Sequence, residues 1–179
     1  MENHEPRLYS YKMTHVTGKA PCVYEKELVL PACKPKLRIH IRPGDWMAGW
    51  TSKSLKSCPT EVGEEQLVYL ALVDRKISVE EFHREYDTRK TSVSIQGEEA
   101  CCDGGCPPEE ECDDDAPVLM CKEFYYFSDK QSLKVPEELR PRVPAGQDFK
   151  GWETAGGQAV LFIEFVRRHE AECIQFNHQ

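Results

Sequence analysis

Residues 66–73 read Gln-Leu-Val-Tyr-Leu-Ala-Leu-Val, a near-continuous apolar run. Such a run predicts a central strand buried on both faces, so the rest of the chain has to assemble a sheet around it. Other segments supply neighbours. Residues 7–16 alternate with the period of two expected of a half-buried strand, and Glu27–Leu30 is a short apolar piece stopped by Pro31. Leu37–Arg42 and Trp46–Thr51 are expected as two strands joined at Pro43-Gly44-Asp45, where Pro and Gly supply special φ values. Val118–Phe127 returns to strand character.

Two helices are expected. Ser78 stands three residues before Glu81, a helix-start pattern, and that helix should end near Tyr86. Across Gly156–Cys173 the residues Phe162, Phe165, Val166, His169 and Cys173 follow a helical period. Three prolines make Val135–Pro144 irregular apart from a turn at Glu137–Arg140. The resulting fold class is α+β: five to seven strands in a small mixed or antiparallel barrel, a short helix after the central strand and a C-terminal amphipathic helix.

A length of 179 residues, 40% hydrophobic and 30% charged, fits one globular domain with a real core. No apolar run reaches the ~20 residues of a membrane span, and the N-terminus has no signal-peptide core. The expected address is cytosolic or nuclear, without membrane partners. Net charge is −8 but unevenly spread. Residues 1–60 carry ten Lys/Arg against five Asp/Glu, whereas residues 98–115 carry nine acids and no base. One segment therefore makes the chain acidic, and the remainder can present a basic face. Residues 97–117 have no periodicity and are expected to be a mobile acidic insertion. An odd count of nine cysteines excludes complete internal pairing, and without a secretory signal most should be reduced thiols.

Several motifs carry chemistry. As strand residues, Lys36, Arg38, His40 and Arg42 would share a face, with Lys34 just upstream; cations in that pattern suit phosphates, Arg bidentately. Trp46 and Trp50 would share a face with Ala48, leaving room for a flat ligand, although tryptophans in strands more commonly pack into the core. Cations beside flat rings suit a nucleotide, which is both anionic and planar. Thr51 and Ser52 end that strand, ready to hydrogen-bond a phosphate or a base edge. Cys33 beside Lys34 should have a lowered pKa, which would make it nucleophilic; a half-buried turn cysteine is the plainer reading. Cys101, Cys102, Cys106 and Cys112 could serve zinc, with Cys121 or a histidine completing the shell, but they lack paired Cys-x2-Cys knuckles. The aromatic block Phe124-Tyr125-Tyr126-Phe127 could add a stacking ring or pack at a sheet edge.

Three boxes occur in order: Thr17-Gly18-Lys19-Ala20-Pro21, then Ala32-Cys33-Lys34-Pro35-Lys36-Leu37-Arg38, then Gly44-Asp45-Trp46 with Thr51-Ser52-Lys53. Together with the aromatic block they resemble the second family of nucleotide-modification-associated domains, found in phage and bacterial DNA-modification systems. The chain departs from that pattern at Gln96-Gly97-Glu98, where relatives carry a Gly-Asp-Asn box. The element order is also similar to PUA-like and EVE-like barrels, which resemble readers of modified bases; that likeness is architectural.

The resemblance implies a nucleotide- or nucleic-acid-binding domain associated with modified bases. Trp46 and Trp50 would frame a base; Lys34, Lys36, Arg38 and Arg42 would hold phosphates; Thr17, Gly18, Thr51 and Ser52 would complete the ligand site. A competing expectation is an enzyme modifying a base or nucleotide, with Cys33 as nucleophile or Asp45 as acid/base. A third is an interaction protein whose acidic loop engages a basic partner. Neither the base nor the oligomeric state follows from these residues.

Overall fold

The computed structural model describes residues 6–13, 21–24, 26–31, 34–52, 65–85, 116–128, 131–144, 149–153 and 157–174. The chain forms two compact units, each gathered from separate stretches of sequence. The first comprises Met1–Val16, Gly44–Leu72 and Tyr125–Ile174; the second comprises Thr17–Pro43, Val73–Phe124 and Gln175–Gln179.

The first unit is organised by a five-stranded sheet. Its strands are β1 (Arg7–Lys12), β4 (Trp46–Trp50), β5 (Leu67–Leu72), β8 (Glu123–Tyr126) and β9 (Lys150–Glu153), in the order β8-β5-β4-β1-β9. The apolar run behaves as read: β5 is interior to the sheet, and Leu67 through Ala71 are fully buried. β4 pairs antiparallel with β5 but parallel with β1, in the register Leu8↔Trp46 through Lys12↔Trp50. On one face Leu8, Trp46, Ala48, Trp50 and Leu70 join a core cluster with α3 (Gln158–Arg168). That helix buries Ala159, Phe162, Ile163 and Val166, spacings that place all four on one stripe. A short 3-10 turn at Glu170–Glu172 follows it.

The second unit holds an antiparallel four-stranded sheet of β2 (Cys22–Tyr24), β3 (Glu27–Leu30), β7 (Val118–Cys121) and β6 (Arg75–Ile77), in that order. α2 (Val79–Glu85) starts as read, with the Ser78 hydroxyl accepting the Glu81 N–H at 3.0 Å. Phe82 of α2 packs with Cys22, Tyr24, Val29, Ile77, Val118 and Met120.

Three expectations need correction. Leu37–Arg42 is not a strand: Pro35–His40 is a helix, α1. Pro35 pre-sets the first helical φ, and Leu37 and Ile41 are buried one helical turn apart, while Ile39 is 56% exposed. Strand alternation would turn Ile39 and Ile41 the same way; the 3.6 period separates them. Val118–Phe127 is two strands in different sheets, broken at Lys122. The pairings of the described residues form two open sheets, and they close no barrel.

Candidate functional site

The turn at Pro43-Gly44-Asp45 sets β4 alongside β1. Gly44 takes φ +92°, a backbone region that suits glycine, and the buried Asp45 carboxylate accepts the Arg7 N–H at 2.8 Å. Asp45 thus ties the start of β1 to the start of β4. Because the strands are parallel, they also end side by side. The Met13 N–H donates to Trp50 O at 2.8 Å, and the Ser52 hydroxyl donates to Met13 O at 2.6 Å. Met13 and Ser52 therefore lie side by side at this edge of the sheet.

A polar cluster surrounds this edge. The Thr51 hydroxyl accepts the Gln66 N–H at 2.9 Å, and the Ser132 hydroxyl donates to Gln66 Oε1 at 2.6 Å. Backbone bonds in both directions between Leu67 and Leu133 fix the Ser132 segment to the start of β5. Lys12 Nζ lies 2.6 Å from Glu65 Oε1, while Arg140 Nη1 lies 4.0 Å from Glu65 Oε2. Lys12, Glu65 and Arg140 were not singled out from sequence. Lys12 read only as one position of an alternating strand, and Arg140 only as part of a turn between prolines; their proximity is tertiary.

The tryptophans take the core alternative. Trp50 is fully buried and stacks on Phe162 with ring centroids 5.7 Å apart. Trp46 is 6% exposed, and the Arg167 guanidinium carbon lies 5.4 Å from its ring centroid. Both rings face α3, so in this packing neither offers an open face for a base. Among the described residues Ser10 Oγ and Trp50 Nε1 are buried without hydrogen-bond partners, which marks this core face as incompletely satisfied.

The cationic residues do not share a face. Arg38 is buried, and its Nη1 donates to Pro31 O at 3.1 Å and to Ala116 O and Pro117 O at 3.0 Å. Its guanidinium clamps α1 to the chain leaving β3 and to the chain entering β7. Lys36 and Arg42 are exposed; Lys34 is half-buried in the left-handed region at φ +48°. Lys76 donates to Ile39 O and Ile41 O at 2.9 Å, satisfying carbonyls at the end of α1. Cysteine chemistry is quiet where it is described. Burial pushes the Cys173 thiol up to about 12, and raises Cys121 further still.

Thr17, Gly18, Cys33, Cys101, Cys102, Cys106 and Cys112 lie outside the described residues. Among the described residues no cluster of three or more His, Cys, Asp or Glu is placed to hold a metal ion. No described helix is long and apolar enough to cross a membrane.

The fold is thus of the α+β class, with one mixed and one antiparallel sheet, and its parallel strand pair sets Met13 beside Thr51 and Ser52. The chain belongs to the nucleotide modification associated domain 2 family, whose model matches residues 5–106. No curated protein and no solved structure matches it.

Proposed function

We propose that this chain is a nucleotide- or nucleic-acid-binding domain serving modified bases, with its ligand at the edge where β1 and β4 end. The observation that carries this reading is the bond pair joining Met13 to Trp50 and Ser52. It sets Met13, just upstream in sequence of the Thr17-Gly18 box, beside Ser52 in a chain of a nucleotide-modification family. Loops leaving the carboxyl ends of parallel strands are a common place for ligands. Hydroxyl and amide groups of Thr51, Ser52, Gln66 and Ser132 supply hydrogen-bonding capacity there.

Lys34, Lys36 and Arg42 are proposed phosphate contacts of the second unit. Arg38 is not among them, since its Nη1 is engaged by three carbonyls. Base stacking by Trp46 and Trp50 is likewise left out, because both face α3. The enzymatic alternative draws no support from Asp45, whose buried carboxylate holds the Arg7 N–H.

Affinity for single- and double-stranded oligonucleotides across a salt series tests the reading. Binding should weaken as salt rises, and Lys36→Glu with Arg42→Glu should flatten the dependence by roughly one unit of log–log slope per lost contact. Absence of binding, or binding indifferent to salt, would refute it.

A further inference from the structure

We infer that Arg140 and Lys12 form an anion subsite for a phosphate group, in which the Glu65 carboxylate stands where the phosphate binds. The electrostatic argument is independent, but naming the anion as phosphate rests on the nucleotide reading above.

The starting point is the poor use of Arg140. Its guanidinium carries five N–H donors in a planar fork. Its side chain is 25% exposed, yet among the described residues its one charged partner is Glu65 Oε2 at 4.0 Å, beyond hydrogen-bonding distance. Among the same residues the guanidinium makes no hydrogen bond. By contrast, Glu65 is drawn close to Lys12, at 2.6 Å through its other oxygen. One carboxylate therefore serves two cations unequally, and the trio keeps a surplus positive charge.

The backbone holding Arg140 is fixed. Its N–H donates to Pro136 O at 3.0 Å, and its own carbonyl accepts from Gln158 Nε2 at 3.3 Å. A guanidinium whose peptide is held at both ends, three-quarters covered and with no hydrogen-bond acceptor among the described residues, is pre-organised to receive one. A tetrahedral phosphate has enough oxygens to take the Arg140 fork bidentately while also meeting Lys12, which the single Glu65 carboxylate does not do. Partial burial of all three groups (22%, 29% and 25% exposed) raises the strength of these interactions above that of a fully solvated pair. On binding, the phosphate oxygens take over the contacts to Lys12 and Arg140, and Glu65 turns outward. Glu65 would thus set a threshold, since only an anion of higher charge density displaces it.

Calorimetric titration of the full chain with inorganic pyrophosphate at low salt tests the subsite without involving a base. Wild type should bind, and sulfate should compete. Glu65→Gln should bind more tightly, by about three- to tenfold, the size of removing one partly screened like charge. Arg140→Gln should bind at least about tenfold more weakly, with Arg140→Lys between the two because it keeps charge but loses the fork. Circular dichroism establishes that each variant is folded, and Arg140→Lys keeps the comparison open if Arg140→Gln is not. Absence of pyrophosphate binding, equal affinity of Arg140→Gln and wild type, or no tightening in Glu65→Gln would each overturn the subsite.

Oligonucleotide titrations separate the two readings. Pyrophosphate binding without oligonucleotide binding would sink the nucleotide reading alone. Oligonucleotide binding that ignores Arg140→Gln would sink the subsite alone.

Discussion

Gly49→Ala should be among the most damaging single-methyl changes available in the first unit. Gly49 lies in β4, paired with Tyr11 of β1 on one side and Tyr69 of β5 on the other. The two tyrosine hydroxyls hydrogen-bond to each other, and their rings meet edge-on at 68° with centroids 6.2 Å apart. A methyl group on Gly49 would collide with Tyr69 Cε1 and lie 2.7 Å from Tyr69 Cδ1 and 2.8 Å from Met13 Sδ. None of these can retreat cheaply: Tyr69 is fully buried, and Tyr11 and Met13 are each 3% exposed. Overpacking of this kind costs about 1–3 kcal/mol. Displacing the Tyr69 ring also disturbs a buried hydrogen bond, adding about 1 kcal/mol. Reduced entropy of the unfolded chain returns about 0.4–1 kcal/mol. The net expectation is a loss of about 1–3.5 kcal/mol, a large part of the roughly 5–15 kcal/mol that a domain has. Urea denaturation with an unchanged slope measures it. Truncating Tyr69 to Leu should cost less in the Gly49→Ala background than in wild type, because the clash is gone. A loss below about 0.5 kcal/mol, or strictly additive effects, would refute the packing argument.

Arg38→Met should destabilise by about 3 kcal/mol or more in chemical denaturation, because three carbonyls lose their donor at a buried site. Trp50→Phe should cost about 1–2 kcal/mol against about 3–5 for Trp50→Ala, since the indole N–H has no hydrogen-bond partner to forfeit. Stability should fall as pH rises above the ordinary thiol value of 9.0, because the folded chain holds the Cys173 proton up to about 12 while the unfolded chain releases it earlier. A flatter alkaline limb in the melting temperature of Cys173→Ser checks this. Near neutral pH, alkylation followed by mass mapping should find Cys121 and Cys173 among the slowest thiols.

Local pattern carried much of the fold. The apolar run of β5, the shared face of Trp46, Ala48 and Trp50, the Ser78 start of α2 and the amphipathic α3 all follow from spacing within one element. The segment 37–42 was misread because three alternations fit a strand as well as they fit one and a half helical turns; Pro35 was the deciding residue. Whether an aromatic or cationic side chain faces a ligand or a core depends on what covers it. Trp50 meets Phe162 from a helix more than a hundred residues later in the chain, and Arg38 meets carbonyls at Ala116 and Pro117, separations that no local period reports. The same holds for Arg140 and Lys12, which share Glu65 from segments far apart in the sequence. The Thr51-Ser52 motif was visible, but its closeness to Met13 required knowing that β1 and β4 run parallel.

A nucleotide is proposed to seat itself where β1 and β4 end. Backbone amide spectra of the isotope-labelled chain, recorded during titration with a nucleoside diphosphate, locate the contact directly. Shifts concentrated at Met13, Thr51, Ser52 and Gln66 are the predicted result. Saturable shifts confined to other parts of the chain, or none at millimolar ligand, would contradict it.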